Sequence, residues 1–97
     1  MDRHDAEREM SRLRGAIDRV DAELVKLLNQ RARYAVAIGE IKGTLLLPIY
    51  APEREAEVLE RAESAGDGPL DSAAVRRLFE RIIEESRRVE RDSTDGA

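Results

Sequence analysis

Residues 6–42 read AEREMSRLRGAIDRVDAELVKLLNQRARYAVAIGEIK, and this stretch decides the fold. Apolar or aromatic side chains recur at helical spacing at Met10, Leu13, Ile17, Val20, Leu24, Leu27, Tyr34, Ile38 and Ile41. The pattern predicts one continuous helix, on the order of 55 Å long at ~1.5 Å per residue. A compact chain of this size is only roughly 30–35 Å across. The long apolar stripe therefore predicts an oligomer, most simply a two-fold dimer.

Two short segments rich in Gly and Pro divide the rest of the chain, at 43–52 (GTLLLPIYAP) and 66–69 (GDGP). A second helix is predicted from Pro52 to about Ser64, and a third after Leu70. Either Asp71 or Ser72 is the expected N-cap of the third helix. The apolar faces of these two helices are predicted to comprise Val58, Leu59, Ala62, Val75, Leu78, Phe79, Ile82 and Ile83.

The predicted fold class is all-α, because no segment alternates with a period of two for long enough to form a sheet. We predict a single domain over residues 1–97, folded over about 6–91, with a disordered tail over 92–97. The N-terminal residues hold no apolar run of signal-peptide length, and no later run approaches the ~20 residues of a membrane span. A soluble, cytoplasmic chain that does not interact with membranes is therefore expected.

The composition excludes several kinds of site. With no Cys and only one histidine, His4, the chain has no thiolate nucleophile and no Cys- or His-rich metal cluster. Neither a metal nor another cofactor is therefore expected. A net charge of −4, with only two Tyr and one Phe, argues against binding to nucleic acid. Any chemistry must use carboxylates, Lys, Arg, Ser or Tyr.

Arg31 interrupts the apolar stripe, between Leu28 and Ala35. A buried guanidinium group needs an anionic partner, which is either a carboxylate of a neighbouring helix or a ligand. Lys42 lies on the same helical face, ~16 Å further along the axis. Two cations on one face can bracket a small dianion, which is the substrate class that we expect.

Arg14 lies on the flank of the same stripe, ~25 Å from Arg31 along the helix axis. That distance is too long for one small ligand within a single chain. An antiparallel two-fold partner would bring its own Arg14 near Arg31. The alternative for Arg14 is a solvated surface arginine.

The second helix begins without a side-chain cap, because Ala51 occupies a position where Asp or Ser stabilises a helix by about 1 kcal/mol more. Its first turn carries Glu53, Arg54 and Glu55. The free backbone N–H groups at this end favour an anion or a hydroxyl group. The alternative is a charged first turn that is simply solvated.

Three runs, LRGAIDRVDAELVKLLNQRARYAVAIGEIK, PIYAPEREAEVL and RLFERIIEESRRVE, together resemble the all-helical class of chorismate mutases over residues 13–90. The Arg within the stripe, the Lys at the end of the first helix, the ERE of the second and the Ser of the third occur in the family's order. The resemblance implies an intertwined homodimer of three-helix chains, with each active site completed by the other subunit. It also implies an isomerase of phenylalanine and tyrosine biosynthesis that rearranges chorismate to prephenate without a nucleophile or general base.

The resemblance further implies which residues are catalytic. Lys42 would contact a substrate carboxylate and the ether oxygen of the breaking C–O bond. Glu90 would hydrogen-bond that ether oxygen. Arg31 would bind a substrate carboxylate and so hold the reactive conformation.

The remaining implied roles concern substrate binding. Arg14 of the partner chain would bind a carboxylate, and Arg54 would support that recognition. Glu55 would hold the ring hydroxyl group, and Ser86 would contact a carboxylate. The implied substrate-binding set is thus Arg14, Arg31, Lys42, Arg54, Glu55 and Ser86.

Two positions differ from the commonest pattern of the family. Glu90 stands where many members have Gln, so it must be protonated to donate a hydrogen bond, and activity is expected to rise at mildly acidic pH. Ala51 stands where many members have Asp, which alters the surroundings of the ring hydroxyl group. An isochorismate-pyruvate lyase, or a mutase of an amino-substituted chorismate, is therefore the alternative activity. A helical dimerisation or regulatory module without turnover is the alternative of another class.

Overall fold

The computed structural model describes residues 1–95 and contains three helices: α1 (Arg3–Leu45), α2 (Pro52–Ala65) and α3 (Ser72–Asp95). No strand occurs within these residues, so the prediction of an all-α chain with a long N-terminal helix is confirmed. Helix α3 continues through 92–95, where the sequence predicted a disordered tail, and the last two positions of that tail lie outside the described residues. The chain forms two compact units, Met1–Gln30 and the part that begins at Arg31. The prediction of one domain over residues 1–97 stays a prediction.

Helix α1 begins three residues before the predicted start because Asp2 caps it. The Asp2 carboxylate accepts a hydrogen bond from the Asp5 N–H at 2.8 Å. The backbone carbonyl oxygen of Asp2 accepts another from the Ala6 N–H at 2.9 Å. A side-chain acceptor at this position satisfies one of the free N–H groups of the first turn.

Helix α1 also continues through Gly43, where the sequence predicted a break, and ends at Leu45. Leu46 adopts a left-handed backbone conformation with φ of 57°. The Leu47 N–H then donates to the Lys42 carbonyl oxygen at 2.8 Å, and the Leu46 N–H donates to the Gly43 carbonyl oxygen at 3.3 Å. These bonds form a Schellman cap, in which the left-handed residue is usually glycine. The conformation of Leu46 therefore ends the helix.

The other helix starts agree with the sequence analysis. Pro52 occupies the first turn of α2, and Ala51 provides no side-chain cap. Asp71 caps α3, because its carboxylate accepts a hydrogen bond from the Ala74 N–H at 2.8 Å.

The second unit packs α2 and α3 against each other and against the last part of α1. Of the residues in this unit whose burial the structure describes, Ala35, Gly39 and Ile83 are buried. The predicted apolar faces are partly buried, at Val58, Leu59, Ala62, Val75, Phe79 and Ile82. The prediction for Leu78 is wrong, because Leu78 is 56% exposed and the described chain does not cover it.

Gly39 sets the close approach of α1 to α3. A Cβ atom at this position would lie 2.6 Å from the Glu90 carbonyl oxygen and 2.5 Å from Ser93 Oγ. The Ser93 hydroxyl group lies within hydrogen-bond distance of the Val36 and Glu90 carbonyl oxygens, at 3.3 and 2.8 Å. Only glycine fits here. Because Gly39 has no side chain, the backbone of Glu90 can pack directly against α1.

The first unit exposes the apolar stripe of α1. Met10, Leu13, Ile17, Val20 and Leu24 are between 46% and 58% exposed. Exposure on this scale, repeated every three or four residues along a helix, is typical of an interaction surface. No helix within residues 1–95 is both long and apolar enough to cross a membrane.

Candidate active site

The second unit contains a cavity of about 450 Å³ between the last part of α1, the segment before α2, and helices α2 and α3. Apolar side chains form much of its wall, at Tyr34, Ala35, Ile38, Ile49, Ala51, Val58 and Ile83. Polar and charged side chains converge on it from all three helices, at Arg31, Lys42, Arg54, Glu55, Ser86, Arg87 and Glu90. A concave apolar cavity with a few convergent polar groups is the usual form of a small-molecule site.

The charges in the cavity wall favour an anion. Four side chains in the wall are cationic and two are carboxylates, so the wall has an excess of two positive charges although the whole chain has a net charge of −4. Walls of low polarity strengthen the attraction of such a cluster for a charged ligand. A small dianion would neutralise the excess.

Arg31 projects from α1 toward α3, where its Nη1 donates a hydrogen bond to Ser86 Oγ. Ser86 Oγ in turn donates to the Ile82 carbonyl oxygen at 2.9 Å, which fixes the hydroxyl group. Burial lowers the pKa of the Arg31 guanidinium group, and the positive charge of Arg54 lowers it further, while Glu90 opposes both effects. The guanidinium group remains charged at neutral pH. An anion bound beside it would relieve this unfavourable environment.

Lys42 and Glu90 form an ion pair between α1 and α3. Lys42 Nζ lies 3.0 Å from Glu90 Oε2 and also donates to the Ile49 carbonyl oxygen at 3.1 Å. Their side chains are only 18% and 13% exposed, so little water screens this pair. The contact with Ile49 also ties the segment before α2 to the end of α1.

Glu55 and Arg87 form a second ion pair in the wall, between α2 and α3. Arg87 Nε and Nη2 donate to the two Glu55 carboxylate oxygens at 2.9 and 3.0 Å. The ring of Tyr50 lies against the guanidinium group, with 5.1 Å between its centroid and Arg87 Cζ, a cation–π distance. Arg87 and Tyr50 are not among the site residues predicted from the sequence. The signal for Arg87 was its spacing, four residues after Ile83 and three before Glu90, which places all three on one face of α3.

The structure brings together six of the seven predicted site residues: Arg31, Lys42, Arg54, Glu55, Ser86 and Glu90. Arg54 is exposed and pairs with Glu57 at 3.2 Å on α2, so its guanidinium group is at the rim of the cavity. Arg14 belongs to the first unit, is exposed, and is not part of the wall. The individual roles of all seven residues stay predictions.

Comparison with known proteins decides the family. Residues 13–91 match the family model described as chorismate mutase type II. The chain belongs to this family. The matching region includes the whole of α2, most of α1 and α3, and every residue of the cavity wall.

Two proteins named as chorismate mutases are similar to this chain, one in structure and one in sequence. A chorismate mutase from Helicobacter pylori, solved in complex with prephenate, superposes with a TM-score of 0.83 and 30% identity, covering 91% of this chain and 96% of that one. A bifunctional chorismate mutase/prephenate dehydratase from Neisseria gonorrhoeae is 49% identical over 81 residues, which are 84% of this chain. This chain spans only 22% of the length of the Neisseria protein.

A relative with another activity is also similar. The isochorismate pyruvate lyase of Pseudomonas aeruginosa is 42% identical over 72 residues, which are 73% of this chain and 70% of the lyase. Proteins similar to this chain are thus named for two activities, chorismate mutase and isochorismate pyruvate lyase.

Proposed function

We propose that the chain is an isomerase that rearranges chorismate to prephenate. One observation carries the proposal: Lys42 and Glu90 lie 3.0 Å apart in a half-apolar cavity whose wall has two excess positive charges. Chorismate has two carboxylates and an ether oxygen, so this charge pattern matches it. The family membership of the chain and the prephenate complex of the Helicobacter protein support the proposal.

The rearrangement breaks the ether C–O bond of chorismate while a new C–C bond forms between the side chain and the ring. No atom or proton leaves the molecule, so the protein needs no nucleophile. The enzyme must hold the flexible side chain over the ring, and carboxylate clamps achieve this by restricting its conformations. Arg31 supplies a bidentate clamp that Ser86 holds in place, and Arg54 adds charge at the rim.

Negative charge develops on the ether oxygen as the C–O bond breaks. Lys42 stabilises that charge electrostatically, and the effect is large because the ammonium group is shielded from water. Glu90 donates a hydrogen bond to the same oxygen when it is protonated. Glu55 accepts a hydrogen bond from the ring hydroxyl group.

The active unit that we propose is a homodimer with a second copy of this chain on the apolar stripe of α1. Half-exposed apolar side chains continue along α1 from Met10 to Ile41. A two-fold axis would bury the stripe of one copy against the same stripe of the other. Arg14 of the second copy would then complete the carboxylate clamp. The cytoplasmic location expected from the sequence belongs to the same proposal.

A second activity is favoured by one feature of the cavity. Ala51 lines it and provides no carboxylate at the start of α2. Since the Pseudomonas lyase is 42% identical, an isochorismate-pyruvate lyase or a mutase of an amino-substituted chorismate is the second candidate. A non-catalytic helical module is disfavoured, because such a module has no physical reason to keep Arg31 and Lys42 partly buried in a cavity.

The test follows the loss of chorismate and of isochorismate, with prephenate separated from salicylate and pyruvate. We expect prephenate as the product from chorismate. Lys42→Met should lower kcat at least about 100-fold, because it removes the charge beside the ether oxygen. Lys26→Met is the matched control, since Lys26 is the other lysine of α1 and is 75% exposed. Salicylate and pyruvate as the main products would favour the lyase, and no loss of either substrate would favour the module.

A further inference from the structure

The ion pair of Arg87 and Glu55 has more hydrogen bonds and is less exposed than an ordinary surface ion pair. Both Glu55 carboxylate oxygens accept hydrogen bonds from Arg87, at 2.9 and 3.0 Å. The Arg87 side chain is 31% exposed and the Glu55 side chain is 21% exposed. Bidentate pairs of this kind fix geometry as well as charge. The ring of Tyr50 also lies against the Arg87 guanidinium group. The guanidinium group therefore contacts both α2 and the segment before α2.

Glu55 is the carboxylate available for the ring substituent of the substrate. The cavity wall contains two carboxylates, and Glu90 already lies 3.0 Å from Lys42. Each oxygen of the Glu55 carboxylate has a second lone pair, so its contact with Arg87 leaves it able to accept one more hydrogen bond. A neutral hydroxyl group is a suitable donor.

We infer that Arg87 makes the site select a ring hydroxyl group over a ring ammonium group, by holding and neutralising Glu55. This inference rests on the proposed function, because it concerns the ring substituent of a chorismate-like substrate. It assigns to Arg87 the role of a specificity-determining residue that acts through Glu55.

The selectivity follows from the charge of the pair. An isolated carboxylate would attract an ammonium group strongly in a cavity of low polarity. The Glu55–Arg87 pair has no net charge, and its guanidinium group would repel an ammonium group placed next to Glu55. A hydroxyl group meets no such repulsion. Specificity built in this way depends on a repulsive element as well as an attractive one.

The experiment measures the ratio of kcat/KM for chorismate to kcat/KM for the analogue in which an amino group replaces the ring hydroxyl group, at neutral pH. We expect Arg87→Met to lower this ratio by about tenfold or more, which corresponds to one charge-assisted hydrogen bond. Glu55→Gln should raise the ratio, because it leaves the guanidinium group unpaired. Arg87→Lys keeps the positive charge but cannot donate to both Glu55 oxygens in the same bidentate geometry. Its ratio should therefore lie between those of the wild type and Arg87→Met.

Arg76→Met is the matched control. Arg76 also joins α3 to α2, through Glu63 at 3.5 Å, but it lies outside the cavity wall. A merely structural effect would lower both kcat/KM values together and leave the ratio unchanged, as expected for Arg76→Met.

The outcomes separate this inference from the proposed function. A wild-type chain that rearranges chorismate, with an Arg87→Met ratio equal to that of the wild type, overturns the inference alone. Shifts in the same direction for Arg87→Met and Glu55→Gln also overturn it. A wild-type chain that rearranges neither substrate contradicts the proposed function, and the inference fails with it.

Discussion

At the scale of single residues, we expect Glu90 to determine how activity depends on pH, through its proposed hydrogen bond to the ether oxygen. An ionised carboxylate only accepts hydrogen bonds, whereas the ether oxygen of the substrate needs a donor. We expect kcat/KM for chorismate to be higher at about pH 5 than at about pH 7.5. Glu90→Gln should flatten this profile, since an amide group donates at both pH values.

The measurement is a pH profile of kcat/KM for the wild type, Glu90→Gln and a matched control. Glu84→Gln serves as the control, because Glu84 is an exposed residue of α3 that pairs with Arg81 at 3.2 Å on the helix surface. Its profile should equal that of the wild type. A wild-type profile that is flat from acidic to neutral pH would contradict the assignment of Glu90 as the donor.

The sequence indicated a site residue where a charged side chain lies within or at the end of an apolar stripe. Arg31 and Lys42 interrupt or end an apolar stripe, so their positions alone indicated a ligand or an ion pair. Arg87 lies within the charged run ESRRVER, where one more arginine is ordinary. Its contact with Glu55 joins residues 32 positions apart, and no local pattern indicates such a pair. The tertiary packing of α2 on α3 was needed to find it.

At the scale of the elements, the contact between α1 and α3 depends on Gly39. Gly39→Ala would place a Cβ atom 2.6 Å from the backbone oxygen of Glu90, which cannot move without shifting α3. We expect the free energy of unfolding to fall by about 1–3 kcal/mol. Activity should fall as well, because Glu90 moves away from Lys42.

Denaturant unfolding and chorismate turnover test the prediction for Gly39. Gly68→Ala is the control, since no heavy atom lies within 4 Å of the Cβ position at Gly68. The control should keep wild-type turnover and gain at most about 1 kcal/mol of stability. If Gly39→Ala unfolds at the same denaturant concentration as the wild type, the close packing inferred at this contact is incorrect.

The end of α1 stores backbone strain at Leu46. A left-handed conformation costs a non-glycine residue about 1–2 kcal/mol, and this side chain is 91% exposed. Leu46→Gly should therefore raise the free energy of unfolding by about 1 kcal/mol. Thermal or denaturant unfolding of the variant checks this. Leu47→Gly, which removes the neighbouring exposed leucine without relieving a positive φ, should give no gain.

The sequence predicted the helices better than their ends. Apolar periodicity over residues 6–42 determines that α1 is a helix, because many side chains contribute to it. Each end depends on one residue. Asp2 extends the start by capping it, and Leu46 sets the finish by adopting a conformation that the chemistry of leucine disfavours. A pattern of hydrophobicity contains no information about that backbone conformation.

At the scale of the whole molecule, the exposed stripe of α1 favours association with a partner. The apolar spacing predicted this surface, and the side chains from Met10 to Leu24 are half-exposed in the described chain. Exposed apolar surface that continues over several helical turns would promote association. The stripe alone does not identify the partner, because it predicts burial and not which molecule covers it. The homodimer is implied by the resemblance of the chain to chorismate mutases. Arg14 connects this question to activity, since it is the one predicted site residue absent from the cavity wall.

Mixing two inactive variants tests the proposed dimer. Arg14→Ala should remove the clamp that a chain donates to its partner, and Lys42→Met should disable the chain's own cavity. After the two variants are unfolded and refolded together in equal amounts, half of the dimers are mixed, and each mixed dimer has one intact site. We therefore expect about a quarter of wild-type activity from the mixture, although each variant alone is nearly inactive. Arg12→Ala replaces Arg14→Ala as the control, because Arg12 is an exposed arginine of the same helix that pairs with Glu9. Arg12→Ala should be active alone. If the mixture of Arg14→Ala and Lys42→Met stays inactive while its refolded chains form dimers, Arg14 does not act across the interface.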